Sequence, residues 1–89
     1  LVSEVRLARA PDADEDRGLL GFVSLVLDNS IRLDGLGLRR TLDGKLTLSW
    51  PARTDVAGRR HPLARPITDA ARVAVERQVF AQLGIGGAP

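Results

Sequence analysis

The order of apolar and polar positions along the chain predicts strands first and a helix last. In the stretch Val2 to Ala10, Val5 and Leu7 alternate with Glu4 and Arg6, the period of two that a strand shows. Pro11 ends it, and Asp12-Ala13-Asp14-Glu15-Asp16 follows as an acidic connection. Leu19 to Leu27 is a near-continuous apolar run, rich in Leu and Val and short enough for a buried strand rather than a helix. Asp28-Asn29 offers two residues that tolerate positive φ, as a two-residue hairpin turn requires. Ile31 to Leu38 reads as the returning strand. Its alternation changes phase across Gly35 and Gly37, which predicts a bulge or a close backbone approach. Asp43-Gly44 marks a second turn, and Lys45 to Trp50 alternates with Leu46, Leu48 and Trp50 on one side.

Pro51 cannot donate to a ladder and closes that strand. Residues 52–65 read as an Arg-rich loop broken by Gly58 and Pro62, with a short strand near Arg59–His61. Pro66-Ile67-Thr68-Asp69 is a helix start, with Thr68 as N-cap and Asp69 favourable in the first turn. The helix should run to about Leu83 and stop at Gly84. Ala71, Val75, Val79 and Leu83 make one apolar row and Val73 with Phe80 a second, while Arg72 and Glu76 fall between them. Phe22, Trp50 and Phe80 read as core residues. The expectation is an α+β fold: a small antiparallel sheet of four to five strands with a C-terminal helix on one face. Residues 1–84 form a single domain in this reading, and 85–89 a disordered tail.

Composition narrows the class. A chain of 89 residues cannot hold two independent cores. Apolar residues at 44% and charged residues at 27% match ordinary globular usage. No apolar run is long enough for a membrane span, and the first residues lack the basic n-region of a signal peptide. With no Cys there is no disulfide, no thiolate metal site and no Cys nucleophile, and a reducing compartment fits. A domain this small without staples gains from pairing with a second copy, so a homodimer is expected.

The net charge of +2 hides a split. Residues 1–31 carry three basic and six acidic groups, and residues 32–89 carry ten basic and five acidic ones. Twelve of the thirteen basic residues are Arg, whose planar guanidinium matches phosphate oxygens better than a Lys point charge. Solvated side chains and a phosphate-binding face are both compatible with that composition.

Candidate chemistry is sparse. His61 is the single histidine, and Asp55 is the only acid in its loop that could orient it as a base; a solvent-facing or backbone-bonded histidine is the plainer expectation. One His without Cys cannot build an N/S zinc site, and the acidic run 12–16 lacks the glycine and distal Glu of a calcium loop. Neither Gly35-Leu36-Gly37 nor Gly84-Ile85-Gly86-Gly87 sits in a phosphate-cradling strand–loop–helix context. No enzyme, cofactor, metal or small-molecule substrate is expected. Nucleic-acid binding fares better: residues 52–77 hold Arg53, Arg59, Arg60, Arg65, Arg72 and Arg77 against three acids. With the aromatics in the core there is no stacking platform for unpaired bases, so contact with the backbone of duplex DNA is favoured.

These residues carry a resemblance. Val23-Ser24-Leu25-Val26-Leu27-Asp28-Asn29 resembles the V-S-I-T-F-D-[DN] strand and turn of the bacterial stage V sporulation protein G (SpoVG) family. Trp50-Pro51-Ala52-Arg53, then Gly58, then Arg65-Pro66-Ile67 is similar to its M-P-S-R-K…G…H-P-I segment at the same spacing. Thr68-Asp69-Ala70-Ala71-Arg72 matches its N-S-x-x-R helix start, and Glu4-Val5-Arg6-Leu7 its opening D-V-R-V strand. The resemblance implies a cytoplasmic, homodimeric regulator that binds DNA and, in some members, RNA. It places binding in and after the M-P-S-R-K segment, where Arg53 matches, Thr54 replaces the family's Lys and Arg65 replaces its His. Arg72 is open to either a binding or a structural role. The runner-up reading is a dimeric protein-interaction module for an acidic partner.

Overall fold

The computed structural model describes residues 1–11 and 17–85. The acidic connection at 12–16 and the tail at 86–89 lie outside the described residues. Four strands, β1 (Val2–Arg9), β2 (Leu19–Leu27), β3 (Ile31–Arg40) and β4 (Leu46–Ser49), form one antiparallel meander in the order β1-β2-β3-β4. Two further strands, β5 (Ala52–Thr54) and β6 (Arg60–Pro62), pair with each other in a separate sheet. The helix α1 (Asp69–Leu83) follows, so the α+β architecture read from the sequence is the one observed. Among the described residues, no helix is long and apolar enough to cross a membrane.

Local chemistry fixes the connections. Asp28 and Asn29 adopt φ of 51° and 55°, and Ser30 N–H donates to Leu27 O at 2.9 Å. Positive φ at both central positions is the turn whose twist matches the flanking strands. At the β3–β4 connection, Gly44 takes φ +85° and donates to Thr41 O at 2.9 Å. The Thr41 hydroxyl also bonds the Asp43 carboxylate, which lowers the Asp43 pKa; the Lys45 charge adds to that shift. The phase change at the β3 glycines is a bulge: two steps from Val23 to Leu25 oppose three from Leu36 to Leu33, with Gly35 at φ +76°. β1 carries a second irregularity between Ser3 and Arg6, where Glu4 has φ +48°. Its simple alternation therefore does not hold along the whole strand, and Leu7 is exposed.

The core lies between the sheet and α1. Val2, Val23, Leu25, Leu36, Leu38 and Leu48 from the strands meet Val79 and Phe80 from the helix, with Leu46, Trp50, Val75 and Leu83 at the margin. Ile85 also packs against this core. The helix starts as its sequence predicts. Thr68 accepts from Ala71 N–H at 3.0 Å, and Gly84 closes the C-terminus at φ +69°, a conformation glycine takes at little cost. The buried face differs from the expectation. Val73 points outward, and Glu76 is buried in its place. Phe22, expected in the core, is exposed on the opposite side of the sheet.

The helix is also tied to both edges of the sheet by side-chain hydrogen bonds. On β1, Val2 N–H donates to Gln78 Oε1 at 2.9 Å and Val2 O accepts from Gln82 Nε2 at 2.6 Å. On β4, Leu48 N–H and the Thr47 hydroxyl both donate to Glu76 Oε2 at 3.1 Å, while Arg72 Nη1 donates to Glu76 Oε1 at 3.0 Å. Edge strands otherwise present unpaired backbone groups. Here the helix supplies partners at one point on each side.

Candidate nucleic-acid interface

The Arg-rich segment at 52–65 is a hairpin rather than an open loop. Pairing runs Ala52 with Pro62, Arg53 with His61, and Thr54 with Arg60. Strands of three residues show no periodicity of their own, which is why only the β6 side was legible in the sequence. The tip is Asp55-Val56-Ala57-Gly58, with Gly58 at φ +82° donating to Asp55 O at 3.0 Å and Asp55 N–H donating to Arg59 O at 2.9 Å. At its base, Leu63 N–H donates to Pro51 O at 2.9 Å.

One carboxylate organises the turn. Asp55 Oδ1 accepts from Ala57 N–H and Arg59 N–H, each at 2.9 Å, and Oδ2 accepts from His61 Nε2 at 2.7 Å. His61 is thus half-buried against a side-chain acid, not bonded to backbone or free in solvent as expected. The His61 bond is the largest cause that holds the Asp55 pKa below 3.8, and the Arg59 and Ala57 amides add to it. These bonds stabilise the folded hairpin while Asp55 is ionised. A depressed native pKa makes that contribution complete above the unfolded value of 3.8 and removes it as pH falls through the lower native value. The hairpin is therefore expected to stay ordered as pH falls through the ordinary carboxylate range and to loosen only below it. Chemical shifts of the Ala57 and Arg59 amides followed by NMR will check this; a transition centred at or above the ordinary Asp value would contradict it.

The arginines surround this frame. Because paired residues share a face of a ribbon, Arg53 lies with His61 on one face and Arg60 with Thr54 on the other. Arg59 sits at the tip, and Val56 beside it is fully exposed. Arg60 Nη2 makes one long bond, 3.4 Å, to Trp50 O. Among the described residues, the guanidinium groups of Arg53, Arg59 and Arg65 have no ion-pair or hydrogen-bond partner, and Arg53 and Arg59 stand exposed on the hairpin. The helix arginines divide. Arg72 is engaged by Glu76 at 3.0 Å and Asp69 at 3.8 Å, a structural role. Arg77 is exposed on α1, at the margin of the face that buries Glu76, Val79 and Phe80. The structure brings Arg53, Arg59 and Arg60 together on one hairpin; Arg65 follows it by three residues.

Among the described residues, no three His, Asp or Glu side chains come together in a way that could hold a metal ion. No protein-family model and no curated protein matches this chain.

Proposed function

We propose that the chain is a small nucleic-acid-binding regulatory protein, acting in the cytoplasm as a homodimer, whose β5–β6 hairpin engages the phosphates of duplex DNA. One observation carries this reading: the hairpin belongs to no larger sheet and bears an arginine on each face and a third at its tip. The major groove, about 12 Å wide, admits a two-stranded ribbon. A ribbon with an arginine on each face and one at its tip presents a guanidinium to the groove or its phosphate rim whichever face it lays down. The guanidinium fork suits phosphate geometry. The likeness of the Trp50–Ile67 segment to the stage V sporulation protein G family supports the same surface, and the positive balance of residues 32–89 favours a polyanion in general.

Fluorescence anisotropy of labelled duplex DNA across a salt series tests the reading. Wild-type affinity should fall steeply with salt. The triple variant R53A/R59A/R60A should bind all duplex sequences more weakly, by roughly tenfold or more at low salt, with its log–log slope flatter by about 0.9 for each phosphate that is no longer neutralised. These side chains are exposed, so the far-UV circular dichroism and melting temperature should be unchanged. A wild-type affinity insensitive to salt, or a variant that binds like the wild type, would sink the reading.

A further inference from the structure

The face of the four-stranded sheet turned away from α1 carries its own chemistry. The register places Ala8, Phe22, Gly37 and Ser49 in one row across all four strands. Arg6 and Ser24 are paired in a neighbouring row on one side, and Leu19 and Arg39 in a neighbouring row on the other. Phe22 is 45% exposed although it stands on a central strand. Its lateral neighbours are a methyl group and a glycine, so nothing packs against either side of the ring along the row. A Cβ on Gly37 would come within 3.3 Å of Ser49 Cβ, 3.4 Å of Leu19 Cδ1 and 3.9 Å of Arg39 Nε, so the glycine keeps this floor low. Beside the ring lies an open cleft of ≈ 230 Å³ lined by Arg6, Ala8, Phe22, Ser24 and Gly35 among others.

The charge on this face is net positive: the exposed Asp34, beside Gly35 on β3, is the one acid set against Arg6 and Arg39 near the ring among the described residues. Arg6 and Arg39 have no ion-pair partner among the described residues, and each lies about 7 Å from Phe22 along the strands, two residues' rise. Glu4 is neutralised by Arg32 at 3.4 Å, across β2 at the level of the buried Val26. An exposed aromatic ring on a flat floor of Gly, Ala and Ser, with a free guanidinium on each side, suits a ligand of alternating aromatic planes and negative charges. A second copy of the chain fits less well. A stable dimer buries about 800 Å² per partner with an apolar centre, whereas here Phe22 and Leu19 are set among Ala, Gly, Ser and two arginines.

We infer that this sheet face binds single-stranded nucleic acid, with one base stacked on Phe22 and adjacent phosphates held by Arg6 and Arg39. It is a surface separate from the β5–β6 hairpin and favours the single strand, where the hairpin favours the duplex. Every base presents a π-face, so the stacking is tolerant of sequence.

Anisotropy of a labelled oligothymidylate at low salt, measured beside the same titration with duplex DNA, tests the inference. Phe22→Leu keeps apolar volume and removes the stacking plane; it should weaken single-strand binding by about tenfold and leave duplex binding unchanged. Phe22→Trp should bind the single strand at least as tightly as the wild type. R6A/R39A should flatten the single-strand salt slope by about 0.7 for each phosphate released. The hairpin variant R53A/R59A/R60A should keep the Phe22-dependent tenfold difference, so failure of the hairpin reading and failure of this one give different patterns. Single-strand binding that is absent, or unaffected by Phe22→Leu, overturns the inference. A sedimentation coefficient that falls in Phe22→Leu overturns it too, because the face would then be covered by a second copy.

Discussion

Replacing Glu76 by Ala is expected to lower the unfolding free energy by about 3 kcal/mol, a large share of the ~4–13 kcal/mol available to a domain of this size. Glu76 is 8% exposed and serves three donors at once: Leu48 N–H, the Thr47 hydroxyl and the Arg72 guanidinium. Removing it leaves a buried backbone amide on the edge strand with no partner, a loss of ~1–3 kcal/mol by itself. Arg72 is left unpaired from Glu76 as well, but its side chain is 42% exposed and recovers hydration, so the full cost of breaking a buried ion pair does not apply. The truncated side chain adds a small cavity under β4. Glu76→Gln should cost less, roughly half as much, because its amide oxygen still accepts from Leu48. Urea unfolding of the two variants beside the wild type measures this, and hydrogen exchange at the Leu48 amide locates it. Equal stability of all three would show that the edge contact contributes nothing.

Glu76 also shows what the sequence could and could not reveal. The features legible in advance were local ones. Asp28-Asn29, the Thr68 cap and the Gly84 stop depend on residues within a few positions of one another, and all three appear as expected. Leu46, Leu48 and Trp50 share a face because a strand's period is fixed by its backbone. What was not legible depended on which face of each element another element covers. Helical spacing put Val73 with the apolar residues and left Glu76 as an interruption. The position of β4 beside the helix reverses those roles, since an unpaired edge amide makes a buried carboxylate favourable. Phe22 departs from expectation for the same reason. An aromatic residue in an apolar run reads as core, but one helix covers only one side of a sheet. The candidate site was legible as composition and not as geometry: six arginines were visible, and only the pairing of Arg53 with His61 and Thr54 with Arg60 shows that two of them face opposite ways.

The second large effect is expected at Gly21. A Cβ there would sit 2.5 Å from Ala8 O and 2.8 Å from Leu7 Cδ1, against the backbone of β1. The Leu7 side chain can turn away, but the carbonyl cannot move without shifting β1. Gly21→Ala should therefore cost about 3 kcal/mol, at the upper end for overpacking, and lower the melting temperature by roughly 12–24 °C. Gly35→Ala provides the contrast. That position has φ +76° but nothing within 4 Å of the added carbon, so only the left-handed backbone penalty of ~1–2 kcal/mol applies. Thermal melts of both variants distinguish contact from conformation. If Gly35→Ala were the more damaging of the two, the close approach of β1 to Gly21 would be wrong.

The hydrogen bonds that Val2 makes with Gln78 and Gln82 join residues 76 and 80 positions apart. During synthesis β1 leaves the ribosome before the partners for its outer edge, which follow about 4–16 s later at ~5–20 residues per second. Until then that edge offers unpaired groups to any neighbouring strand. The β2–β3 hairpin, closed by a short turn at Asp28-Asn29, can form meanwhile, because short loops cost little entropy. Docking of the helix on β1 closes the longest loop joined by these side-chain hydrogen bonds, the contact with the largest entropic cost to form. A nascent chain stalled before Gln78 would hold most of a sheet with one sticky margin, and the risk of misassembly is greatest in that interval rather than in the finished domain.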